Sequence, residues 1–260
     1  MKVVSVNLNG MANAVERGFV DWLITTDADV VCVQNLRAKE YQLPSVCLDV
    51  PGFEAFFADA EADDFGGVGI YCRQMPKAII RGLGFPQCDI EGRFIQADFE
   101  MFSVGSFLFP YADDEDSQNA KFAFMEQFQS HLKKTRRKRR DFIFCGTTHI
   151  AHRTIDLGNW AQHQRESGFL PEEREWVDQF IASGFVDTFR EYNQEAEQYR
   201  KRVSEIIELM LTEVSEKQQQ IIKGVFGFYG LGLMVFIAAF SLVFLTNIVK
   251  HWKAILITFG

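Results

Sequence analysis

Seven basic residues in eight positions are the densest chemical feature of the chain: Lys133, Lys134, Arg136, Arg137, Lys138, Arg139 and Arg140. Arginine forks meet phosphate oxygens two at a time, and lysines add point charge. Cations are also favoured at a helix C-terminus, but seven charges exceed what capping needs, so the run reads as a surface facing phosphate or an acidic partner. A second group comprises His149, His152 and Asp156. These residue types ligate metals, yet no HxH or HExxH spacing surrounds them, and the bland reading of two loop histidines is favoured. Five cysteines (Cys32, Cys47, Cys72, Cys88 and Cys145) include no CxxC pair. Their odd number and wide spread argue against a zinc ribbon and for reduced thiols in a cytosolic setting.

The elements that would position these groups divide the chain. A net charge of −8 over 260 residues is uneven: residues 1–199 carry 20 Lys+Arg against 31 Asp+Glu (−11), and residues 200–260 carry 7 against 4 (+3). An acidic body repels nucleic acid at long range, so any phosphate binding must come from a local basic patch. With 47% hydrophobic residues, the composition excludes a disordered or collagen-like chain. The opening MKVVSVNLNG reads as a strand and a turn rather than a signal peptide. Alternation predicts a buried strand over Val3–Leu8, helical spacing a helix over Ala14–Thr25, and a β-rich run a strand over Asp29–Gln34. Strand, helix, strand in so short a span is an α/β layer pattern. Further strands are expected at Gly66–Tyr71, Ala78–Arg81, Arg93–Phe99, Phe102–Phe109 and Asp141–Gly146, and helices at Phe122–Leu132 and Pro171–Ser183.

Beyond residue 199 the character changes. Residues 200–223 read as a charged amphipathic helix, with Val203, Ile206, Ile207, Met210, Leu211 and Val214 on one stripe. Gly224–Val249 then runs 26 residues without a formal charge. That is long enough for a helix to cross a hydrocarbon core of about 30 Å, and basic and aromatic flanks suit interface anchoring. A transmembrane helix is expected over 224–249, followed by a short tail at 250–260.

The stretches SVNLNG, DVVCVQN, GGVGIYCR and FLPEEREWVDQFIASGFVDTFR resemble the exonuclease III branch of the endonuclease/exonuclease/phosphatase superfamily over about residues 1–199. The resemblance implies a four-layered α/β sandwich and Mg²⁺-assisted phosphodiester hydrolysis. It maps the family's functional positions onto Asn7, Asn35 (where the family has a metal-binding Glu), Leu108 (near the family's Tyr) and Gly146-Thr147-Thr148-His149 (the family's GDxN). Thr147 therefore stands where a carboxylate should act on water, and the family's closing Asp and Ser-Asp-His motif lie in a part not matched here. On this resemblance the domain is C-terminally truncated. The break falls inside a domain, which favours an interrupted reading frame over a fusion.

Further stretches, among them GGVGIYCRQMPKAIIRGLGF and KKTRRKRRDFIFCGTTHIAH, resemble a catalytically degenerate branch of the superfamily, the catabolite repression control (Crc) group. That resemblance implies a non-catalytic post-transcriptional regulator, not an enzyme, which acts with the RNA chaperone Hfq on A-rich mRNA segments to repress translation. Lys133 to Arg140 would face RNA or partner. No metal, cofactor or small-molecule substrate is implied, and the domain would be cytoplasmic, tethered to the inner membrane by Gly224–Val249. The alternative is a Mg²⁺-dependent exonuclease III-like DNA repair nuclease.

Overall fold

The computed structural model describes residues 1–62, 64–192 and 194. Its strands are β1 (Val3–Asn7), β2 (Val30–Gln34), β3 (Glu54–Ala58), β4 (Val68–Cys72), β5 (Ala78–Arg81), β6 (Phe94–Asp98), β7 (Phe102–Leu108) and β8 (Asp141–Thr147). Helices α1 (Met11–Glu16), α2 (Phe19–Thr25), α3 (Ser45–Leu48), α4 (Pro86–Ile90), α5 (Glu115–Thr135), α6 (Pro171–Ala182) and α7 (Thr188–Tyr192) join them.

The strands form two sheets of four, ordered β1-β2-β4-β3 and β5-β6-β7-β8. Alternation explains the layering: in β2, Val30 and Cys32 point to the opposite sheet while Val31 and Val33 point away. All five residues of β2 and of β4 are buried, as strands covered on both faces require. Val30, Cys32, Val68, Ile70 and Cys72 from the first sheet meet Ile95, Ala97, Val104 and Leu108 from the second in one apolar cluster. Outside the second sheet, Phe124, Met125, Phe128 and Leu132 of α5 and Trp176 of α6 pack on Phe94 and Phe107. Outside the first, Phe19 of α2 packs on Tyr71, their rings 6.0 Å apart. Helix, sheet, sheet, helix is the expected α/β sandwich.

Several expectations need correction. The helix predicted over Ala14–Thr25 is two, because Gly18 adopts a left-handed conformation (φ +83°) that ends α1 and restarts the chain as α2. The helix predicted at Phe122–Leu132 begins earlier, at Glu115. Asp114 caps it by accepting from Ser117 N–H at 2.8 Å, and acidic residues suit that end. The first strand is half-buried rather than buried, with Val6 its sole buried residue, because β1 is a sheet edge. The strand β3 carries no clear sequence signal, because GFEAFFA lacks clean alternation. The amphipathic helix at 200–223 and the span at 224–249 lie outside the described residues. Among the described residues no helix is long and apolar enough to cross a membrane.

One side chain makes the aromatic layer sensitive to acid. His131 on α5 lies among Phe94, Phe128 and Phe144, with ring centroids 4.9, 6.3 and 6.3 Å away. Burial first, then the charges of Lys138 and Lys134, push its imidazole down to about 4. The unfolded chain, near 6.5, takes up this proton first, so the stability His131 contributes is present above about pH 6.5 and is lost as pH falls toward 4. His131→Phe is therefore expected to flatten the fall in melting temperature over that window. Parallel curves for the two proteins would count against it.

Candidate functional site

Parallel pairing sets the site. In β1·β2 the register joins Asn7 to Gln34, and in β7·β8 it joins Leu108 to Thr147, so all four strands end at one rim of the sandwich. There Asn7 Nδ2 donates to Thr147 Oγ1 at 3.0 Å, linking the two sheets across 140 residues. Asn7 Oδ1 accepts from Asn9 N–H at 3.1 Å. Asn35 Nδ2 donates to Asn9 Oδ1 at 3.4 Å, and Arg37 Nε donates to Asn35 Oδ1 at 3.2 Å. The rim is thus a ribbon of amides running from a hydroxyl to a guanidinium. Asn9, Asn35 and Arg37 all take positive φ (+49°, +62° and +51°), a conformation that asparagine tolerates better than most residues. Sequence-expected positions Asn7, Asn35 and Thr147 are therefore brought together.

His149 follows two residues after Thr147, also at positive φ (+52°). The Tyr111 ring stands at 82° to the imidazole, centroids 5.6 Å apart. His149 keeps an exposed edge, yet desolvation of the ring, then the charges of Lys121 and Arg93, push it down to about 4. It is a neutral imidazole at physiological pH, with one donor and one acceptor nitrogen. Leu108 is buried and contributes backbone only, its carbonyl accepting from the Arg93 guanidinium at 3.3 Å. Tyr111, three residues on and exposed, carries the hydroxyl that Leu108 lacks.

His152 and Asp156 do not join His149. His152 Nε2 pairs with Asp178 at 2.8 Å, and Asp156 pairs with Arg190.

The basic run lies elsewhere. It precedes β8, whose first residue Asp141 pairs with Phe102, so it stands at the opposite end of the sheet from Thr147, about 20 Å away at a strand rise of about 3.3 Å. Lys133, Lys134, Arg136, Arg137, Lys138 and Arg139 are exposed. Arg140 is anchored instead: its guanidinium pairs with Asp98 at 3.2 Å and donates to the carbonyls of Phe99 and Glu100.

Two residues near the rim escaped sequence reasoning. Lys121 and Glu173 form an ion pair of 2.6 Å with both side chains fully buried. One signal was present: Lys121 occupies the apolar stripe of α5 that continues through Phe124, Met125, Phe128 and Leu132. A lysine on a core face demands a buried partner.

The donor set bears on a divalent cation. The amides of Asn7 and Asn35 and the hydroxyl of Thr147 are neutral, whereas a hard cation selects carboxylate oxygens. Among the described residues no group of three or more His, Cys, Asp or Glu side chains could hold a metal ion. The residues present do not fit Mg²⁺. Converting Asn35→Glu together with Thr147→Asp is expected to create a Mg²⁺-dependent rise in melting temperature of several degrees, read by thermal shift against the unaltered chain. Equal Mg²⁺ responses from both proteins would show that these positions do not decide binding.

Residues 4–187 match the sequence profile of the Endonuclease/Exonuclease/phosphatase family. The chain is 30% identical over 194 residues to the DNA repair nuclease APEX1 of Danio rerio, covering 74% of this chain and 62% of the relative. It is 29% identical over 201 residues to a DNA-(apurinic or apyrimidinic site) endonuclease of Dictyostelium discoideum, covering 74% of this chain and 54% of that one. It thus spans little more than half the length of these relatives. An AP endonuclease from Archaeoglobus fulgidus superposes with a TM-score of 0.66 at 22% identity, covering 74% of each chain. A 3'-5' exonuclease from Neisseria meningitidis gives 0.68 at 19%, covering 75% of this chain and 76% of the other. These two show the fold. The curated relatives are named as enzymes, which overturns the expectation of a protein that is not an enzyme.

Proposed function

The chain belongs to the endonuclease/exonuclease/phosphatase family, and on that premise we propose that it acts on nucleic-acid phosphodiesters as a repair-type nuclease, meeting the strand at the rim formed by the ends of β1, β2, β7 and β8. The observation that carries this reading is the convergence of Asn7, Asn35, Thr147 and His149 on one rim, in a chain whose curated relatives are repair nucleases. The chain's own groups suit a phosphate. Arg37 is an exposed cation beside the amide ribbon. Asn amides and the His149 imidazole supply neutral donors, which stabilise developing charge when fixed in place. A neutral imidazole also accepts a proton, and a value near 4 makes it a weak base.

The test is incision of a labelled duplex carrying one abasic site, in the presence of Mg²⁺. Slow incision is expected. His149→Ala should lower it about tenfold or more, within the range general acid–base groups supply, and Asn35→Glu with Thr147→Asp should accelerate it. A chain that neither retains nor cuts the duplex overturns the proposal.

A second reading has its own observation, the six exposed cations between Lys133 and Arg139. It is translational repression of A-rich mRNA together with Hfq, in which the basic run contacts RNA backbone or chaperone and Arg140 anchors the run to the sheet. Phosphate contacts of this kind weaken steeply with salt. A native gel with Hfq and a labelled A-rich RNA separates the two readings: a slower Hfq–RNA band with intact RNA favours repression. On sequence alone, the uncharged stretch 224–249 supports a tether of this cytoplasmic domain to the inner membrane.

A further inference from the structure

Lys121 and Glu173 do more than satisfy each other. Glu173 sits in the first turn of α6, and its Oε2 accepts from the N–H groups of Gly168 at 2.6 Å and Leu170 at 3.0 Å. Its Oε1 accepts from Gln118 Nε2 at 3.2 Å. Lys121 Nζ, paired to Glu173, donates a further bond of 3.0 Å to the carbonyl oxygen of His149. Ala151 N–H closes the loop by donating to the Gly168 carbonyl at 2.8 Å. Two helices thereby grip the segment after β8 by its backbone. A Cβ at Gly168 would lie 2.8 Å from the His149 carbonyl oxygen, at a backbone φ of +91°, so the two loops touch as closely as glycine permits.

A wholly buried ion pair is costly to desolvate and seldom stabilises more than an apolar pair of the same volume. Its placement matters more than its strength. We propose that Lys121, held by Glu173, is the positioning residue for His149: it draws the His149 carbonyl inward and so turns the imidazole onto the rim, beside Thr147 and Tyr111, where it meets a nucleic-acid strand. The contact with nucleic acid rests on the proposed function, whereas the positioning itself does not. Lys121 from α5 and Arg93 before β6 are the charged groups that act on the ring, and the Tyr111 ring stands nearly perpendicular to it.

The test follows the His149 imidazole by NMR titration of the full chain, its signal assigned with His149→Gln. In the unaltered protein the ring should stay neutral down to about pH 4. Lys121→Met with Glu173→Gln removes both charges and keeps acceptors for Gly168 and Leu170. Gly168→Ala pushes on the His149 carbonyl and leaves both charges in place. Each variant should raise the proton affinity of His149 about tenfold or more, toward its ordinary value near 6.5, with folding checked by a cooperative thermal transition. If Gly168→Ala folds and His149 titrates as in the unaltered chain, the positioning role is overturned, even where removing the Lys121 charge alone shifts the ring. If the double variant does not fold, Gly168→Ala decides by itself. Retention of abasic duplex is measured separately, so loss of nucleic-acid binding by the unaltered chain would remove the proposed function without touching the titration result.

Discussion

A buried hydrogen-bonded pair between the sheets sets where everything else stands. Gln34, 1% exposed, donates from Nε2 to Ser106 Oγ at 3.1 Å, and Ser106 Oγ donates to the Val33 carbonyl at 3.0 Å. Most of what surrounds it between the sheets is apolar, and apolar contact is non-directional. Two such faces could slide by a residue at small cost. A polar group between them cannot slide without leaving a donor or acceptor unpaired, which costs about 1–3 kcal/mol. Gln34 therefore aligns β2 over β7. Once that alignment holds, the parallel partners β1 and β8 must bring Asn7 to Thr147.

The same logic operates one layer out. The face of α5 is aromatic and aliphatic from Phe124 to Leu132, and such a face alone would set only the rough position of the helix. Lys121 adds direction. Because its ammonium must reach both Glu173 and the His149 carbonyl, it sets the rotation of α5, the start of α6 and the course of the loop after β8 together. Gly168 and Leu170 tie the entry to α6 to the same carboxylate, Glu173.

How legible this was in the sequence depended on whether the signal was local. Ala78–Arg81 and the helix starting at Pro171 were readable because a strand-like run set off by Gly and Pro, and a first-turn proline, are local features. The break at Gly18 was not, since an isolated glycine within a helical pattern is usually tolerated. Asn7, Asn35 and Thr147 could be named from resemblance, but their meeting is set by strand pairing at separations that no spacing rule covers. Lys121 and Glu173 lie in different helices, and only the odd placement of a lysine on an apolar stripe announced that a partner existed.

The position of the basic run follows from the topology as well. Thr147 ends β8 and Arg140 immediately precedes it, so the neutral rim and the cation-rich surface must lie at opposite ends of one strand. At about 3.4 Å per nucleotide of one strand, the separation of about 20 Å corresponds to about six nucleotides. A short substrate end seated at the rim would not reach the cations, whereas a longer single strand laid along the sheet could touch both. Electrostatics sharpens the distinction. Residues 1–199 carry a net −11, so a strand approaching the rim would meet an acidic body, relieved locally by the exposed Arg37. Under the proposed function, the run before β8 would attract a strand at range, and the rim would supply fixed donors at contact. On that reading, association and local recognition fall to different ends of β8.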